Sequence, residues 1–273
     1  MKNLDIHFRR LILTAALCLI CVPLINASGE TLSKEQMKQF LLGAKVMKSS
    51  QSRKGITNPW RLTMTDGAVT HDGSFQSVDE HKTRMEFDDG HIELDFVDSY
   101  KYNIAAYTLA EMLGVEDMLP VYVERKWNGR SGSLSWWLPV KMDEGERLKQ
   151  KISAPDADGW NKQMYRIRVF DELVYDTDAN LTNVLIGEDW KIWRVDFSRS
   201  FRLFKDLKNS KNLVQCDRQL FANLKTLDSN AVMQKTGSYL TRLEAQAVMA
   251  RRDKIVAYFE KLISEKGESK VLY

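Results

Sequence analysis

The sequence has little cysteine. It contains three cysteines in 273 residues, and two of them, Cys18 and Cys21, lie in an apolar segment at the N terminus. If that segment is removed, Cys216 is the one cysteine left, so the remaining chain has no internal disulfide. The sequence therefore excludes a disulfide-stabilised scaffold, and its 44% hydrophobic residues are enough for an ordinary globular core.

The sequence also lacks an excess of charge of one sign. Its 40 basic and 37 acidic side chains leave a formal net charge of +3. Nucleic-acid binding is driven by clustered Lys and Arg that neutralise phosphates, so we expect no nucleic acid among the partners. Low-complexity tracts and internal repeats are absent as well, which excludes solenoid and disordered architectures.

The main hydrophobic run of the sequence lies at the N terminus. Lys2 and two arginines precede apolar residues 11–24, and the small residue Ala27 follows. This layout is typical of a secretory signal peptide. An uncleaved anchor is the alternative, although the run is shorter than the ~20 apolar residues that a bilayer requires. We expect residues 1–27 to be cleaved from an exported bacterial protein, periplasmic or extracellular, that keeps no membrane span.

The first half of the mature chain is predicted to consist mainly of strands. Ser33 and Gln36 have the spacing of a capping box and mark the start of a helix over 31–47. Residues 80–91 are polar and indicate a loop. The predicted strands begin near Lys45 and continue with 60–64, 69–78, 92–96, 119–124 and 134–138.

One helix is predicted among these strands. It runs from about Lys101 to Leu113, with Asp98 or Ser99 as its N-cap and Gly114 at its C-terminal end. Its apolar positions recur at helical spacing, which indicates that one side packs against the predicted sheet.

The second half is predicted to be mostly helical. A long helix over 160–175 is followed by two short strands, 184–186 and 192–195, and then by three further helices. We therefore expect an α+β fold of two lobes, in which the mature chain, 28–273, forms a single domain. The predicted lobes and link are an N-lobe over about 40–140, a link over 139–146 and a C-lobe over about 147–265.

Acid and amide side chains are concentrated around the two short strands. Asp178 and Asn183 lie in the loop before the first strand, and Asp196 follows the second. Mg²⁺ takes oxygen ligands and keeps positions for substrate phosphates, so this set suits a site for a metal and a nucleotide. Each residue taken alone also fits a structural role, because Asp and Asn are favoured in turns. Asp176 and Asn180 flank the set as alternative ligands.

The spacing of these residues is more specific than their chemical type. Asn183 lies five residues after Asp178, and Asp196 lies thirteen after Asn183. Protein kinases place a catalytic-loop Asp five residues before an Asn ligand, and a D-F-G motif supplies a second ligand. Asp196-Phe197-Ser198 stands in the place of D-F-G. The pattern predicts Asp178 as the catalytic base, and Asn183 and Asp196 as ligands of Mg²⁺ bound with ATP.

Two segments resemble the atypical kinases related to phosphatidylinositol kinases, HipA-type kinases and secretory-pathway kinases. Residues 170–183 are similar to their D-x-L-x-x-N-x-D-R-x-x-x-N segment, and 102–114 are similar to their E-x-A-A-Y-x-L-D-x-L-L-G helix. The N-x-D-R part, at 176–179, has two positions changed. The resemblance covers roughly 40–265 and implies a two-lobed protein-kinase-like fold with a mixed N-lobe and a helical C-lobe.

The phosphate-binding residues of that group differ in this chain. The resemblance implies a Lys on the third strand that grips phosphates and a helix Glu that pairs with it, and the matching positions are Gln76 and Asn103. Two amides can hydrogen-bond to each other and to phosphates, but they supply no positive charge. Candidates for that charge are Lys54, in the polar loop after the first strand, and Lys82 or Lys101.

Two further pairs of residues have competing interpretations. Trp136 and Trp137 precede the predicted link and either line an adenine pocket or pack in the core. Arg199 and Arg202 follow Asp196 and either bind an anionic substrate or are solvated.

Three functions are compatible with these residues. The first is an ATP- and Mg²⁺-dependent phosphotransferase that acts on a hydroxyl of a protein, lipid or small molecule, which the complete Asp, Asn, Asp set favours. The second is a pseudokinase that binds a nucleotide or a partner without turnover, which the two amides and the scarcity of ATP outside the cytoplasm favour. The third is another ATP-dependent transfer, such as adenylylation, which needs the same ligands.

Overall fold

The computed structural model describes residues 32–51 and 59–273. The predicted signal peptide, 1–27, and Lys54 lie outside the described residues. Within the described ranges, no helix has both the length and the apolar sequence needed to cross a bilayer.

The N-lobe is built on a five-stranded antiparallel sheet. Its elements are α1 (Lys34–Gly43), β1 (Lys45–Gln51), β2 (Trp60–Thr65), β3 (Thr70–Gln76), β4 (Asp79–Glu86), β5 (Ile92–Ser99), α2 (Tyr100–Leu113), β6 (Tyr122–Trp127) and β7 (Arg130–Trp136). The sheet has the strand order β1-β2-β3-β7-β6. Leu62 and Met64 alternate along β2 and are fully buried, so one face of the sheet forms the core of the lobe.

The two helices of the N-lobe begin and end at the predicted signals. Ser33 and Gln36 form the predicted capping box before α1, because each side chain bonds the backbone of the other residue. Ser99 caps α2, and Gly114 ends it in the left-handed region at φ 68°. Most of α2 is buried, which fixes this helix between the sheet and the C-lobe.

The strands β4 and β5 form a separate antiparallel hairpin between β3 and α2. The prediction of a loop over 80–91 is wrong, because Asp79 to Glu86 pair with Ser99 to Ile92. Nearly every side chain of β4 is exposed, so the strand has no buried face that the sequence pattern could mark. We refer to β4 and β5 with their turn as the inserted hairpin.

The C-lobe combines a small sheet with helices. Its elements are β8 (Val140–Asp143), α3 (Glu144–Lys149), α4 (Ala157–Val174), β9 (Val184–Gly187), β10 (Ile192–Arg194), α5 (Arg218–Thr226), α6 (Ser229–Thr236), α7 (Arg242–Lys266) and α8 (Glu268–Val271). The sheet order is β10-β9-β8. Because β8 already pairs with β9, the connection between the lobes is residues 137–139, shorter than the predicted link over 139–146.

A cluster of buried apolar side chains extends through both lobes. Tyr102 of α2 packs against Phe201 with ring centroids 5.4 Å apart, and Phe170 of α4 meets Phe197 edge-on at 5.5 Å. Phe197 and Phe201 both lie in the segment after β10. Aromatic contacts of this kind contribute beyond their buried area, so the segment that begins at Asp196 is held by packing from both lobes.

Candidate nucleotide and metal site

A cleft of about 750 Å³ lies between the N-lobe sheet and the small C-lobe sheet. Gln76, Asn103, Asn183 and Asp196 all line it, so residues from β3, α2, the loop before β9 and the segment after β10 meet in one space. Asp178 lies outside this lining, in the same loop as Asn183. The structure thus brings together four of the predicted site residues.

Apolar and aromatic side chains form much of the remaining wall. Trp136 and Trp137 line the cleft beside Leu185 and Val195. Trp136 also stacks on His71, with ring centroids 3.7 Å apart, so this residue lines the cleft and packs in the lobe at the same time. A mostly apolar pocket with a few polar groups is the usual environment of a bound small molecule or cofactor.

The loop that carries Asn183 is organised by its own side chains. The Asn180 side-chain oxygen accepts from Thr182 N at 2.9 Å and from Asn183 N at 3.2 Å, so Asn180 is a cap rather than a ligand. The Asn183 Nδ2 group donates to the Asp178 carbonyl at 3.1 Å. This bond orients the amide and leaves Asn183 Oδ1 without a donor among the described residues.

The two predicted ligands are connected through the backbone. Val195 N donates to the carbonyl of Asn183 at 3.0 Å, which places Asp196 beside the loop that carries Asn183. Asp196 itself has φ 61°, a conformation that costs a non-glycine residue about 1–3 kcal/mol. Strained residues of this kind cluster at functional sites, where the surrounding structure maintains them.

The donor set at this position is one amide and one carboxylate. Among the described residues, no group of three or more His, Cys, Asp or Glu side chains could hold a metal ion. Such a sparse set does not suit zinc, which takes closed sites of His and Cys. It suits Mg²⁺, which binds one or two protein oxygens and completes its shell with water and substrate phosphates.

Gln76 and Asn103 form a hydrogen-bonded pair of amides at the cleft. Asn103 Nδ2 donates to Gln76 Oε1 at 2.7 Å, and Asn103 Oδ1 accepts from Phe197 N at 2.7 Å. Gln76 Nε2 is buried and has no hydrogen-bond partner among the described residues. An unpaired buried donor costs about 1–3 kcal/mol, so this group is ready for an acceptor such as a phosphate oxygen in the cleft.

Positive charge is scarce around the cleft. Of the described residues that line it, Lys141 is the one basic side chain. Lys82 pairs with Glu80 at 2.7 Å, and Lys101 pairs with Asp79 at 2.8 Å, and neither lines the cleft. The two alternatives for the missing lysine are therefore engaged elsewhere.

A buried arginine connects the loop before β9 to the segment after β10. Arg194 bonds the carboxylate of Asp176 and the carbonyl of Val195, and its Nε donates to Asp171 Oδ1 at 3.2 Å. Asp176 is thus an ion-pair partner and not a metal ligand. The sequence contains a signal for this role, since Arg194 lies in an apolar strand and a buried charge requires a partner.

The two acids around Arg194 share a single positive charge. Burial raises the pKa of the Asp171 carboxyl to about 6, although Arg194 opposes the shift. Burial also raises the pKa of Asp176. Two buried carboxylates beside one guanidinium are not both fully compensated, and one of them is therefore protonated at a higher pH than an exposed acid.

The arginines after Asp196 are bound by the inserted hairpin. Arg202 pairs with Glu93 and donates to the Val97 carbonyl at 3.1 Å, and Arg199 donates to Glu93 at 2.6 Å. Neither is a solvated surface arginine. No residue pattern predicts this contact, because Glu93 lies on a hairpin that was predicted partly as a loop.

Comparisons with known proteins identify the fold of this chain. No protein-family model matches the chain, and no curated protein matches it. Among solved structures, it is similar to hydra Fam20 with sugar, at 15% identity over 89% of this chain and 93% of that chain, with a TM-score of 0.64. The Golgi casein kinase with Mn and ADP bound is 12% identical over 88% and 79%, with a TM-score of 0.60. The chain has an atypical kinase fold.

A third structure extends the comparison to a bacterial protein. The Helicobacter pylori proinflammatory kinase CtkA is 8% identical over 83% of this chain and 98% of that chain, with a TM-score of 0.52. The two-lobed α+β architecture predicted from the sequence is therefore confirmed. In the atypical kinase fold of this chain, β3 and α2 carry Gln76 and Asn103, and the loop before β9 carries Asp178 and Asn183.

Proposed function

We propose that this chain is a phosphotransferase that binds ATP with Mg²⁺ in the cleft and transfers the γ-phosphoryl group to an acceptor hydroxyl. The observation that carries the proposal is the position of Asn183 and Asp196. Both line one cleft, they are connected by the 3.0 Å backbone bond of Val195, and the unpaired donor Gln76 Nε2 lines the same space.

Each residue has a role that follows from its atoms. Asn183 Oδ1 and the Asp196 carboxylate would hold Mg²⁺, which neutralises charge on the transferring phosphoryl group. Gln76 Nε2 donates to a phosphate oxygen, and Trp136 and Trp137 contact the base. Asp178 is 40% exposed beside the cleft, where its carboxylate orients an acceptor hydroxyl and accepts its proton.

The comparison with the Golgi casein kinase supports a nucleotide and a divalent cation in this cleft, because that structure contains Mn and ADP. The acceptor class stays open among a protein, a lipid and a small molecule. Both Mg²⁺ and Mn²⁺ belong in the binding test, since the same oxygen ligands accept either ion.

A pseudokinase is the second candidate, and a specific observation favours it. The Gln76 and Asn103 pair is neutral, and Lys141 is the one basic residue among the described lining residues. Transfer of a phosphoryl group normally uses more positive charge than this. Such a protein would bind a nucleotide or a partner and release it unchanged.

A thermal-shift titration of purified protein with ATP, ADP, Mg²⁺ and Mn²⁺ tests the proposal. A ligand that binds the folded state alone stabilises it by about 2.7 kcal/mol at 100 times its Kd. We expect a metal-dependent shift that Asp196→Ala abolishes. If the wild-type protein shows no shift with any nucleotide, the phosphotransferase proposal is wrong and a module that binds another partner replaces it.

We also propose that the protein is exported after cleavage of residues 1–27. The basic start, the short apolar run and Ala27 support this proposal. N-terminal sequencing of the protein from a periplasmic fraction tests it, and the expected first residue is Ser28. An intact Met1 in the membrane fraction would instead indicate an uncleaved anchor.

A further inference from the structure

One arginine faces the predicted catalytic residue. Arg199 Nη1 lies 3.9 Å from Asp178 Oδ1, a distance too long for a hydrogen bond. Among the described residues, Nη1 has no other polar partner within hydrogen-bond distance. The side chain is only 18% exposed, so a charged group with an unused donor is directed at the place where an acceptor hydroxyl would react.

The position of this guanidinium is fixed from several sides. Arg199 Nη2 donates to Glu93 Oε2 at 2.6 Å. The rings of Phe87 and Phe96 lie 5.0 and 5.3 Å from the guanidinium carbon, at cation–π distance. The Arg199 carbonyl accepts from Thr177 Oγ1 at 2.9 Å. A donor held in this way is preorganised, and its reorientation costs little when charge develops nearby.

Arg202 shows what a purely structural arginine in this segment looks like. It shares the Glu93 carboxylate, but its Nη1 donates to the Val97 carbonyl and its side chain is only 8% exposed. Arg202 therefore fixes Glu93 from one side and leaves the second carboxylate oxygen for Arg199. Glu93 belongs to β5, so the inserted hairpin determines the direction in which Arg199 points.

The cleft itself supplies little positive charge, because Gln76 replaces the phosphate-gripping lysine. We infer that Arg199 stabilises the transferring phosphoryl group beside Asp178, and that Glu93 is the positioning residue that holds it there. This inference rests on the proposed phosphotransferase. The bond between the γ-phosphorus and the bridging oxygen breaks, and ADP leaves with its electron pair. The acceptor oxygen bonds to phosphorus and gives its proton to Asp178, while Arg199 keeps all its protons.

The test needs no acceptor, because ADP with Mg²⁺ and aluminium fluoride mimics the transferring phosphoryl group. The quantity to measure is the ratio of the Kd for Mg·ADP to the Kd for Mg·ADP with aluminium fluoride. Transition-state analogues bind more tightly than ground-state ligands, so the wild-type ratio exceeds one. In Arg199→Met we expect the ratio to fall on the order of 100-fold while the Kd for Mg·ADP is unchanged.

Three further variants make the test specific. Glu93→Gln keeps the shape of the side chain but weakens the hold on Arg199, so its ratio lies between those of the wild type and Arg199→Met. Arg199→Lys keeps the charge and retains part of the ratio, which provides a readout if the methionine variant does not fold. Arg166→Met is the matched control, because Arg166 is 19% exposed and pairs with Asp117 outside the cleft. It keeps the wild-type ratio.

Each outcome separates the inference from the proposal on which it rests. A wild-type ratio in Arg199→Met overturns the inference and indicates that Arg199 serves the acceptor or the fold. A wild-type protein that binds Mg·ADP without any gain from aluminium fluoride also overturns it, but leaves nucleotide binding in place. A wild-type protein that does not bind Mg·ADP overturns the proposed function as well.

Discussion

Asn103 Nδ2 donates a 2.7 Å hydrogen bond to Gln76 Oε1 and so joins α2 to β3. The same Asn103 accepts from Phe197 N, so the pair links β3, α2 and the segment after β10 without any charge. Gln76 Nε2 is the one atom of this arrangement that has no partner among the described residues. The pair therefore joins these three elements by neutral hydrogen bonds.

A lysine introduced alone at position 76 is expected to destabilise the protein, whereas a lysine introduced together with a glutamate at position 103 is not. Gln76→Lys places an unpaired ammonium at a half-buried position that lines the cleft and lowers the free energy of unfolding by about 1–3 kcal/mol. Adding Asn103→Glu supplies the partner, recovers most of that loss and tightens binding of Mg·ATP. Urea unfolding and nucleotide titration of the single and double variants measure both effects. Equal stability of the two variants would contradict the pairing.

Substitution of Asp178 is expected to lower the rate of phosphoryl transfer and to leave the affinity for Mg·ATP unchanged. The Asp178→Asn variant keeps the loop bonds of the backbone but removes the proton acceptor, so transfer should fall about 10²–10⁴-fold. The Kd for Mg·ATP should stay within about twofold, because Asp178 is not among the residues that line the cleft. Single-turnover transfer and equilibrium binding separate the two quantities. A parallel loss of binding would show that Asp178 contacts the nucleotide.

Removal of the buried charge of Arg194 is expected to destabilise the protein strongly. In Arg194→Met, the carboxylates of Asp171 and Asp176 lose their common partner, which lowers the free energy of unfolding by about 3–5 kcal/mol. Adding Asp176→Asn should recover part of this loss. Lys162→Met is the control, since its pair with Asp158 is exposed and an exposed pair contributes little to stability. Urea denaturation gives all four values.

Asp171 is expected to contribute stability at low pH that is lost as pH rises towards 6. The pKa of Asp171 is raised from 3.8 to about 6 in the folded state, so the folded protein binds more protons than the unfolded chain across this range. The stabilisation is complete below about pH 4 and is lost as pH rises through about 6. Asp171→Asn should flatten this part of the curve of melting temperature against pH. Identical slopes in both proteins would show that another group titrates.

Local spacing in the sequence predicted that Asn183 and Asp196 lie close together, and both line the cleft. Asp178, Asn183 and Asp196 lie within 19 positions of one another, and the reaction that kinases perform constrains that spacing. The helix caps at Ser33 and Ser99 were predictable for the same reason, because capping acts over three or four residues. The fold that these signals imply is confirmed.

The parts that could not be predicted depend on distant contacts. Arg199 and Glu93 are 106 residues apart, and nothing in a single sequence pairs them. The strand β4 was predicted as a loop because it buries no face, so alternation carries no signal there. The role of Arg194 depends on which carboxylates the fold brings to it. Its position in an apolar strand indicates only that it has a partner.

The candidate site depends on the inserted hairpin, which is an element of low stability. A two-stranded hairpin has little stability of its own, and β4 buries almost none of its side chains. Segments of this kind open locally at a lower free energy than the whole domain. Because Glu93 on this hairpin holds Arg199, we expect the proposed phosphoryl transfer to disappear at a urea concentration at which the core still gives a native fluorescence signal. Inactivation and unfolding of this protein are then two separate transitions, and the first belongs to the hairpin.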